Sequence, residues 1–157
     1  MIDIQSLPDD RNIPIDKVGI KELKYPIKVL DKTKGLQSTV AKISMYVDLP
    51  HQQKGTHMSR FIEMLDMFRK QVSLESLTNI LKDLKLSLEA ASSHIEISFP
   101  YFINKKAPVS GTTGLMDYNC TITGSSGPDN QRDLALKVAV PVTSVCPCSR
   151  EISRYGA

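Results

Sequence analysis

The chain has 157 residues, of which 41% are hydrophobic and 24% are charged, and its formal net charge is +3. These values are typical of one globular domain, or of one and part of a second, and exclude a collagen, a disordered tail and a disulfide scaffold. The charge is too small to indicate a nucleic-acid partner, and no apolar run approaches the ~20 residues of a membrane span. The N-terminus has no secretory signal pattern, so we expect a cytoplasmic protein that binds neither nucleic acid nor membrane.

Five stretches predict strands, most of them because apolar and polar side chains alternate along them. They are, in chain order, residues 18–30, 43–49, 95–99, 116–122 and 134–140. Pro26 interrupts the first stretch and favours an edge strand or a bulge rather than a central strand. Cys120 falls on the apolar side of its strand, as expected of a buried, inert thiol.

Two stretches between the second and third strands predict helices. The apolar residues from Phe61 to Phe68 share one helical face, with Ser59 as the expected N-cap. Ser73 is expected to cap a second helix, whose leucines from 74 to 88 recur every three or four residues and which ends near Ala91. Helices on one face of an antiparallel sheet give an α+β fold, whose open sheet edges favour association with other subunits.

The last predicted strand runs into Cys146-Pro147-Cys148, and Ser149 suits the N-cap of a short helix. A thiol beside a helix N-terminus has a lowered pKa, and the thiolate is the form that binds metal or attacks carbon. A disulfide between cysteines this close would be strained, so we expect free thiols. A catalytic metal needs about three protein ligands, and incidental thiols are the alternative. The histidines that could join a cysteine at such a metal are His51, His57 and His94.

A second candidate site is the segment from Lys54 to Arg60, at the start of the first predicted helix. Backbone N–H groups at a helix N-terminus, with two basic side chains near, could hold an anion. A helix that follows a solvated basic turn explains the same residues, and composition alone favours that simpler interpretation.

Several segments, in order along the chain, resemble the type IB GTP cyclohydrolases, which are bacterial and archaeal enzymes of the tunnelling fold. They are Ile15-Asp16-Lys17-Val18-Gly19-Ile20-Lys21, Lys54-Gly55-Thr56-His57-Met58-Ser59-Arg60-Phe61, Phe99-Pro100-Tyr101-Phe102, Ala107-Pro108-Val109-Ser110-Gly111 and Cys146-Pro147-Cys148-Ser149-Arg150-Glu151-Ile152-Ser153. The predicted order of strands and helices is also that of a tunnelling-fold unit, an antiparallel sheet with two helices packed on one face.

The resemblance implies an activity and a site. The reaction is the conversion of GTP and water to 7,8-dihydroneopterin triphosphate and formate, the first step of tetrahydrofolate biosynthesis. The resemblance implies a divalent metal, zinc or manganese, with Cys146 as its ligand and as a catalytic residue. It also favours His57 and Arg60 as substrate-binding residues, and it implies a homo-oligomer whose active sites lie between subunits.

The resemblance also suggests how the chain is divided. Residues 1–16 are an irregular N-terminal arm, residues 17–123 a first tunnelling-fold unit and residues 131–157 the start of a second. Family members are longer and continue with a metal-ligand histidine, so we expect a C-terminally truncated chain that is inactive alone and associates. The alternatives are an inert fragment or non-enzymatic assembly or binding module of the same fold, a related tunnelling-fold enzyme that binds purine-like rings, and a thiol redox protein.

Overall fold

A computed structural model gives the fold, and it describes residues 8, 10–69, 71–108, 110–142, 144 and 146–152. The elements are β1 (Ile15–Asp31), β2 (Gly35–Leu49), α1 (Met58–Leu65), a 3-10 helix (Asp66–Arg69), α2 (Leu74–Ser87), β3 (Ser93–Lys106), β4 (Thr113–Ser126), β5 (Arg132–Ala139) and α3 (Pro147–Ile152). The strands form one antiparallel sheet in the order β1-β2-β3-β4-β5. This confirms the predicted α+β fold of the tunnelling type and the order of its elements.

Of the two N-caps predicted for the long helical segments, Ser73 is correct and Ser59 is wrong. Ser73 caps α2 as predicted: its Oγ accepts the N–H of Ser76 at 3.1 Å, and the Oγ of Ser76 accepts the N–H of Ser73 at 2.8 Å. Ser59 does not cap α1, because the helix begins one residue earlier at Met58. His57 holds the cap position with an extended backbone, and its side chain makes no capping hydrogen bond. The start of α1 therefore has none of the usual capping residues, Ser, Thr, Asp or Asn, to indicate it in the sequence.

The core lies between one face of the sheet and the two long helices. Its most deeply buried side chains are Phe61, Phe68, Leu77, Ile80, Leu81 and Leu84 from the helical segment and Ile27, Ile43, Met45, Val47 and Ile97 from the strands. The predicted leucine stripe therefore packs on the sheet; the side chain of Leu74, its first member, lies outside the part described. α2 ends at Ser87 rather than near Ala91, since Glu89 has a positive φ of 53°, which no α-helix contains.

The helices leave the outer part of this sheet face uncovered. Residues directly opposite each other in adjacent strands share a face, and Cys120 of β4 pairs with Val138 of β5, while Ile122 pairs with Leu136. Leu136 and Val138 thus lie on the core side, yet they are 64% and 46% exposed. A cavity of about 1050 Å³, which we call the β4–β5 groove, opens here between α2 and the last two strands.

The turn before β5 is attached to the helical layer. Lys85 of α2 donates from Nζ to the carbonyl of Gly127 at 2.6 Å and to Oδ1 of Asn130 at 3.1 Å. β5 belongs to the same sheet as β1–β4, so residues 127–131 form a turn between two paired strands. The division into units at 17–123 and 131–157 stays a prediction, and most of the expected arm, residues 1–7 and 9, lies outside the described residues.

A carboxylate joins the β1–β2 turn to β3. Asp31 accepts the backbone N–H groups of Thr33 and Lys34 at 2.8 and 2.7 Å through Oδ1. Its Oδ2 accepts the hydroxyl of Tyr101 at 3.0 Å and the amide of Gln37 at 3.3 Å. The N–H bond from Lys34 is the largest of the effects that hold the pKa of Asp31 below its usual value.

Asp31→Asn is expected to lower the melting temperature at pH 7, because the amide keeps a single, uncharged acceptor oxygen and its NH2 group cannot accept the hydrogen bonds that the second carboxylate oxygen accepts. A carboxyl with a depressed pKa stabilises the folded state above its unfolded pKa, near 3.8, and that contribution is lost as pH falls through the folded pKa. The melting temperatures of the wild type and of Asp31→Asn, measured from pH 7 to pH 3, should therefore converge below about pH 4. Asp129→Asn, at an exposed turn position, is the control; a difference for Asp31→Asn that does not change with pH would contradict this account.

Candidate active site

Cys146 occupies the N-cap position of α3. Its carbonyl accepts the N–H of Arg150 at 3.0 Å, the first bond of the helix. Pro147 is the first helical residue, where its fixed φ suits the helix and its missing N–H costs no hydrogen bond. The sequence prediction placed Ser149 at this cap, which is wrong: Ser149 lies inside the first turn, because the proline starts the helix two residues earlier.

The Cys146 thiol is exposed and surrounded by hydrogen-bond donors. It accepts the backbone N–H of Ser149 and that of Cys148, and these bonds, the one from Ser149 first, hold its pKa below the ordinary value. The side chains of Cys148, which is also exposed, and of Ser149 lower the pKa of Cys146 further, by smaller amounts. A thiol favoured in its ionised form can bind a metal or act as a nucleophile, as predicted from the position of the motif.

Cys120 is a different kind of thiol. It is buried on the core face of β4, where it lines the β4–β5 groove, and burial raises the pKa of its thiol. A buried cysteine with a raised pKa is inert toward metal and electrophiles, which confirms its predicted role as a core residue.

His57 and Arg60 lie together at the start of α1, where the N–H of Arg60 donates to the carbonyl of His57 at 3.2 Å. Both line a small cavity with Leu88 and Glu89, which follow α2. Its volume is about 20 Å³, close to the space of one water molecule. A nucleotide therefore does not fit inside this cavity and could contact it only from outside.

Arg60 also connects the two long helices. Its guanidinium donates to the carbonyl of Ser87, the last residue of α2. A cation at the C-terminus of a helix is stabilising, because unpaired carbonyls give that end a partial negative charge. Sequence reasoning missed this bond, since the two residues are 27 positions apart and nothing in either segment indicates the other.

The two candidate sites follow strands that end at opposite ends of the sheet. The segment leading to α1 leaves the sheet at Leu49, at the end where β3 and β5 begin. β5 runs from Arg132 at this end to Ala139, a span of roughly 23 Å at the usual rise of a strand. The chain continues from there to Cys146, which does not line the cavity shared by His57 and Arg60. Strand register alone therefore does not bring these residues together.

A polar cavity of about 170 Å³ lies among the sheet residues around His94 and was not singled out from the sequence. His94 and Glu96 of β3 line it, together with Lys17 of β1 and Asp133 of β5. Partial burial, and then the charge of Lys17, lowers the pKa of His94, so its imidazole is neutral near pH 7. The alternation of His94 and Glu96 with buried Ile95 and Ile97 was the signal for a polar face here.

Cys146 suits a metal as a ligand, but it is not surrounded by a complete set. Within the described ranges, no three His, Cys, Asp or Glu residues lie close enough together to hold a metal ion. The histidines expected to join it, His51, His57 and His94, thus form no such group with it there. Among the described residues, Cys146 therefore belongs to no complete set of metal ligands.

Comparison with known proteins identifies the family. The family model described as type I GTP cyclohydrolase folE2 matches residues 1–157. Proteins named GTP cyclohydrolase FolE2 are 58% identical in Desulfosudis oleivorans, 56% in Geobacter metallireducens and 55% in Geobacter sulfurreducens, each over all of this chain. The chain spans 60%, 59% and 60% of the length of these three relatives. None of the described helices is both long and apolar enough to cross a membrane. The chain belongs to the type I GTP cyclohydrolase folE2 family.

Proposed function

We propose that this chain is part of a type IB GTP cyclohydrolase, which converts GTP and water to 7,8-dihydroneopterin triphosphate and formate in the first step of tetrahydrofolate biosynthesis. The supporting observation is the match of all 157 residues to the family, together with an exposed thiol of lowered pKa at the cysteine motif. Since the chain spans about 60% of its relatives, the activity is proposed for the protein that includes the remaining length.

In this proposal Cys146 is both a ligand of a divalent ion, zinc or manganese, and a catalytic residue. Such an ion, when bound, supplies a Lewis acid and an activated water. The contribution of the chain itself is to hold the ligand ready: the N–H groups of Cys148 and Ser149 stabilise the ionised sulfur of Cys146. The other ligands lie outside the group of residues that the structure describes around Cys146.

The decisive experiment compares the chain of 157 residues with an extended protein, in which the C-terminal two fifths of the Desulfosudis relative follow Ala157. Both are loaded with zinc or manganese, and formate release from GTP is measured. We expect turnover from the extended protein and none from the chain alone, because the described residues hold no complete metal site. An extended protein that folds and binds metal but releases no formate would contradict the proposal and favour a non-enzymatic binding module.

We further propose that His57 and Arg60 contact the substrate. A hydrogen bond to a charged group contributes about 1.5–3 kcal/mol, so His57→Ala and Arg60→Ala should each lower kcat/KM for GTP about 10-fold to 100-fold in the extended protein. Arg60→Ala also removes the bond to the Ser87 carbonyl, so its melting temperature must be measured beside its kinetics. Ser59→Ala, at the exposed position between them, is the control. Wild-type kcat/KM in both test variants would leave this segment with a structural role only.

A homo-oligomer with active sites between subunits is the assembly we propose. The strands that lead to the two candidate sites, β2 and β5, end at opposite ends of the sheet, so a neighbouring subunit could bring the sites together. The first and last strands, β1 and β5, each pair on one side only among the strands described, and unpaired strand edges favour association. The β4–β5 groove adds exposed apolar surface. Two exposed, reduced cysteines suit a cytoplasmic location.

A further inference from the structure

A row of five polar residues crosses the sheet on the face that the helices leave free. Its members lie directly opposite one another in adjacent strands, from β1 to β5, and they are Lys24, Lys42, Ser98, Thr121 and Lys137. The sequence neighbours of Lys42, Ala41 and Ile43, are buried in the core, so Lys42 and the residues opposite it point away from the helices. Three ammonium groups therefore lie in one line on this face.

Two of these lysines repel each other. Lys24 and Lys42 are an opposite pair, whose Cβ atoms are typically about 4.5–5.5 Å apart, and like charges in such a pair destabilise a sheet. Both side chains are exposed, and neither ammonium group has a hydrogen-bond or ion-pair partner in the part of the chain described. The acidic residues nearby, Glu22 in β1 and Glu96 in β3, make no ion pair with them there. The repulsion is uncompensated within the described chain, and a bound anion would compensate it.

A pair of hydroxyl groups lies beside the lysines. Oγ of Ser98 and Oγ1 of Thr121 are 3.0 Å apart and hydrogen-bond each other. Each hydroxyl carries one hydrogen, so the bond between them uses one and leaves the other free to donate to a ligand. Both side chains are half-buried, and they line an open cavity of about 370 Å³ with Lys24, Lys42 and Asn119. None of the described residues that line this cavity is acidic.

We propose that this row of residues is a binding site for a phosphate group. Lys42 lies on one side of the hydroxyl pair, and Lys137, opposite Thr121, lies on the other. Three strand spacings, about 14 Å, separate the two lysines, and their flexible four-carbon stems allow both ammonium groups to turn inward over the hydroxyls. Lysine binds phosphate as a point charge, and a hydroxyl donates to its oxygens. The anion would also neutralise the repulsion between Lys24 and Lys42.

The phosphate site is separate from both parts of the candidate active site. α1, which carries Arg60, packs with α2 on the other face of the sheet, and Cys146 follows the end of β5. Neither Cys146 nor His57 nor Arg60 lines the cavity at the lysine pair. The inference therefore does not rest on the proposed function. The phosphate group is either inorganic phosphate or part of a nucleotide, and the test distinguishes these two sources.

The test measures the melting temperature of the chain of 157 residues as inorganic phosphate is added, with chloride at equal ionic strength as the reference. A ligand that binds only the folded state raises the melting temperature, but phosphate also stabilises proteins generally, because it is excluded from their surfaces. A matched control variant separates the two effects. Lys28→Gln is that control, since Lys28 is exposed on the same face of β1 as Lys24 but lies opposite Ser38 rather than a lysine.

Two test variants each remove one ammonium group. In chloride, Lys42→Gln should melt higher than the wild type, because the opposite like charges are gone. In phosphate, the wild type and Lys28→Gln should be stabilised alike, whereas Lys42→Gln and Lys137→Gln should each bind the anion about 10-fold more weakly. Equal stabilisation by phosphate in all four proteins would overturn the proposal and leave general exclusion of the salt as the explanation.

GTP replaces phosphate in the second arm of the test. Stabilisation by phosphate that depends on Lys42 and Lys137 assigns the site to the free anion. Stabilisation that requires GTP, and that both test variants weaken, assigns the site to the phosphates of a nucleotide. A response to GTP that neither variant changes, with no specific response to phosphate, would place nucleotide binding elsewhere and contradict the site.

Discussion

Replacing Cys146 with alanine in the extended protein is expected to lower formate release from GTP by more than about 100-fold. Loss of a residue that merely supports a metal ligand costs 10–100-fold in affinity or activity, and loss of the ligand itself should cost more. The fold should remain, because Cys146 is exposed at the cap of a six-residue helix and contributes nothing to the core. Bound metal, formate release and melting temperature together measure the effect.

Cys148→Ala is the matched control for that experiment. Cys148 is equally exposed and two positions away, but its backbone N–H, which supports the Cys146 sulfur, survives the substitution. We expect a milder loss, less than about 10-fold, from the missing side-chain hydrogen bond alone. Equal loss of activity in the two variants would contradict the assignment of distinct roles to the two cysteines.

The elements of the fold were predictable because they depend on local patterns. Alternation along β2 and the leucine stripe of α2 both follow from burying one face, and Ser73 is a cap residue whose partner is only three positions away. Of the two alternatives that Pro26 indicated, an edge strand or a bulge, the edge strand is correct, since a proline cannot donate to a second neighbour. The burial of the Cys120 thiol was predictable because the residue lies on the apolar side of an alternating strand.

The arrangement of the candidate site was less predictable, because it depends on contacts distant in sequence. The bond from Arg60 to Ser87 links two helices, and the start of α1 at Met58 is set without any capping side chain. Cys146 was found from its motif, but its hydrogen-bond donors require knowing that α3 begins at Pro147. That the strands leading to His57 and to Cys146 end at opposite ends of the sheet follows only from strand register.

Gly19→Ala is expected to be strongly destabilising, which explains a glycine in one of the family-like segments. A Cβ at residue 19 would lie 2.0 Å from the carbonyl oxygen of Met45, on the neighbouring strand. β1 is irregular here, with register shifts on both sides of Gly19 and with Glu22 at a φ of 52° donating its N–H to Ser44 Oγ at 3.0 Å. Two backbones thus approach closely, and neither can move without breaking ladder bonds.

The expected loss is about 3 kcal/mol, the upper end for adding a methyl group to a packed site, because backbone rather than a flexible side chain blocks it. For a chain of this size that corresponds to a melting temperature roughly 6–12 °C lower. Gly114→Ala is the matched control, since Gly114 also lies in a strand but has open space around its Cα. That variant should be neutral or slightly more stable, because alanine restricts the unfolded chain.

Thermal unfolding of the chain of 157 residues measures both variants without any assay of activity. If Gly19→Ala melts within about 1 °C of Gly114→Ala, a change of a few tenths of a kcal/mol, then β1 and β2 are not in the close contact described. If it melts far lower, the glycine is required by the sheet rather than by the substrate. Gly19 would then be present in this family-like segment because two strands pair closely there. The charged residues beside it would be the ones to test for a role in binding.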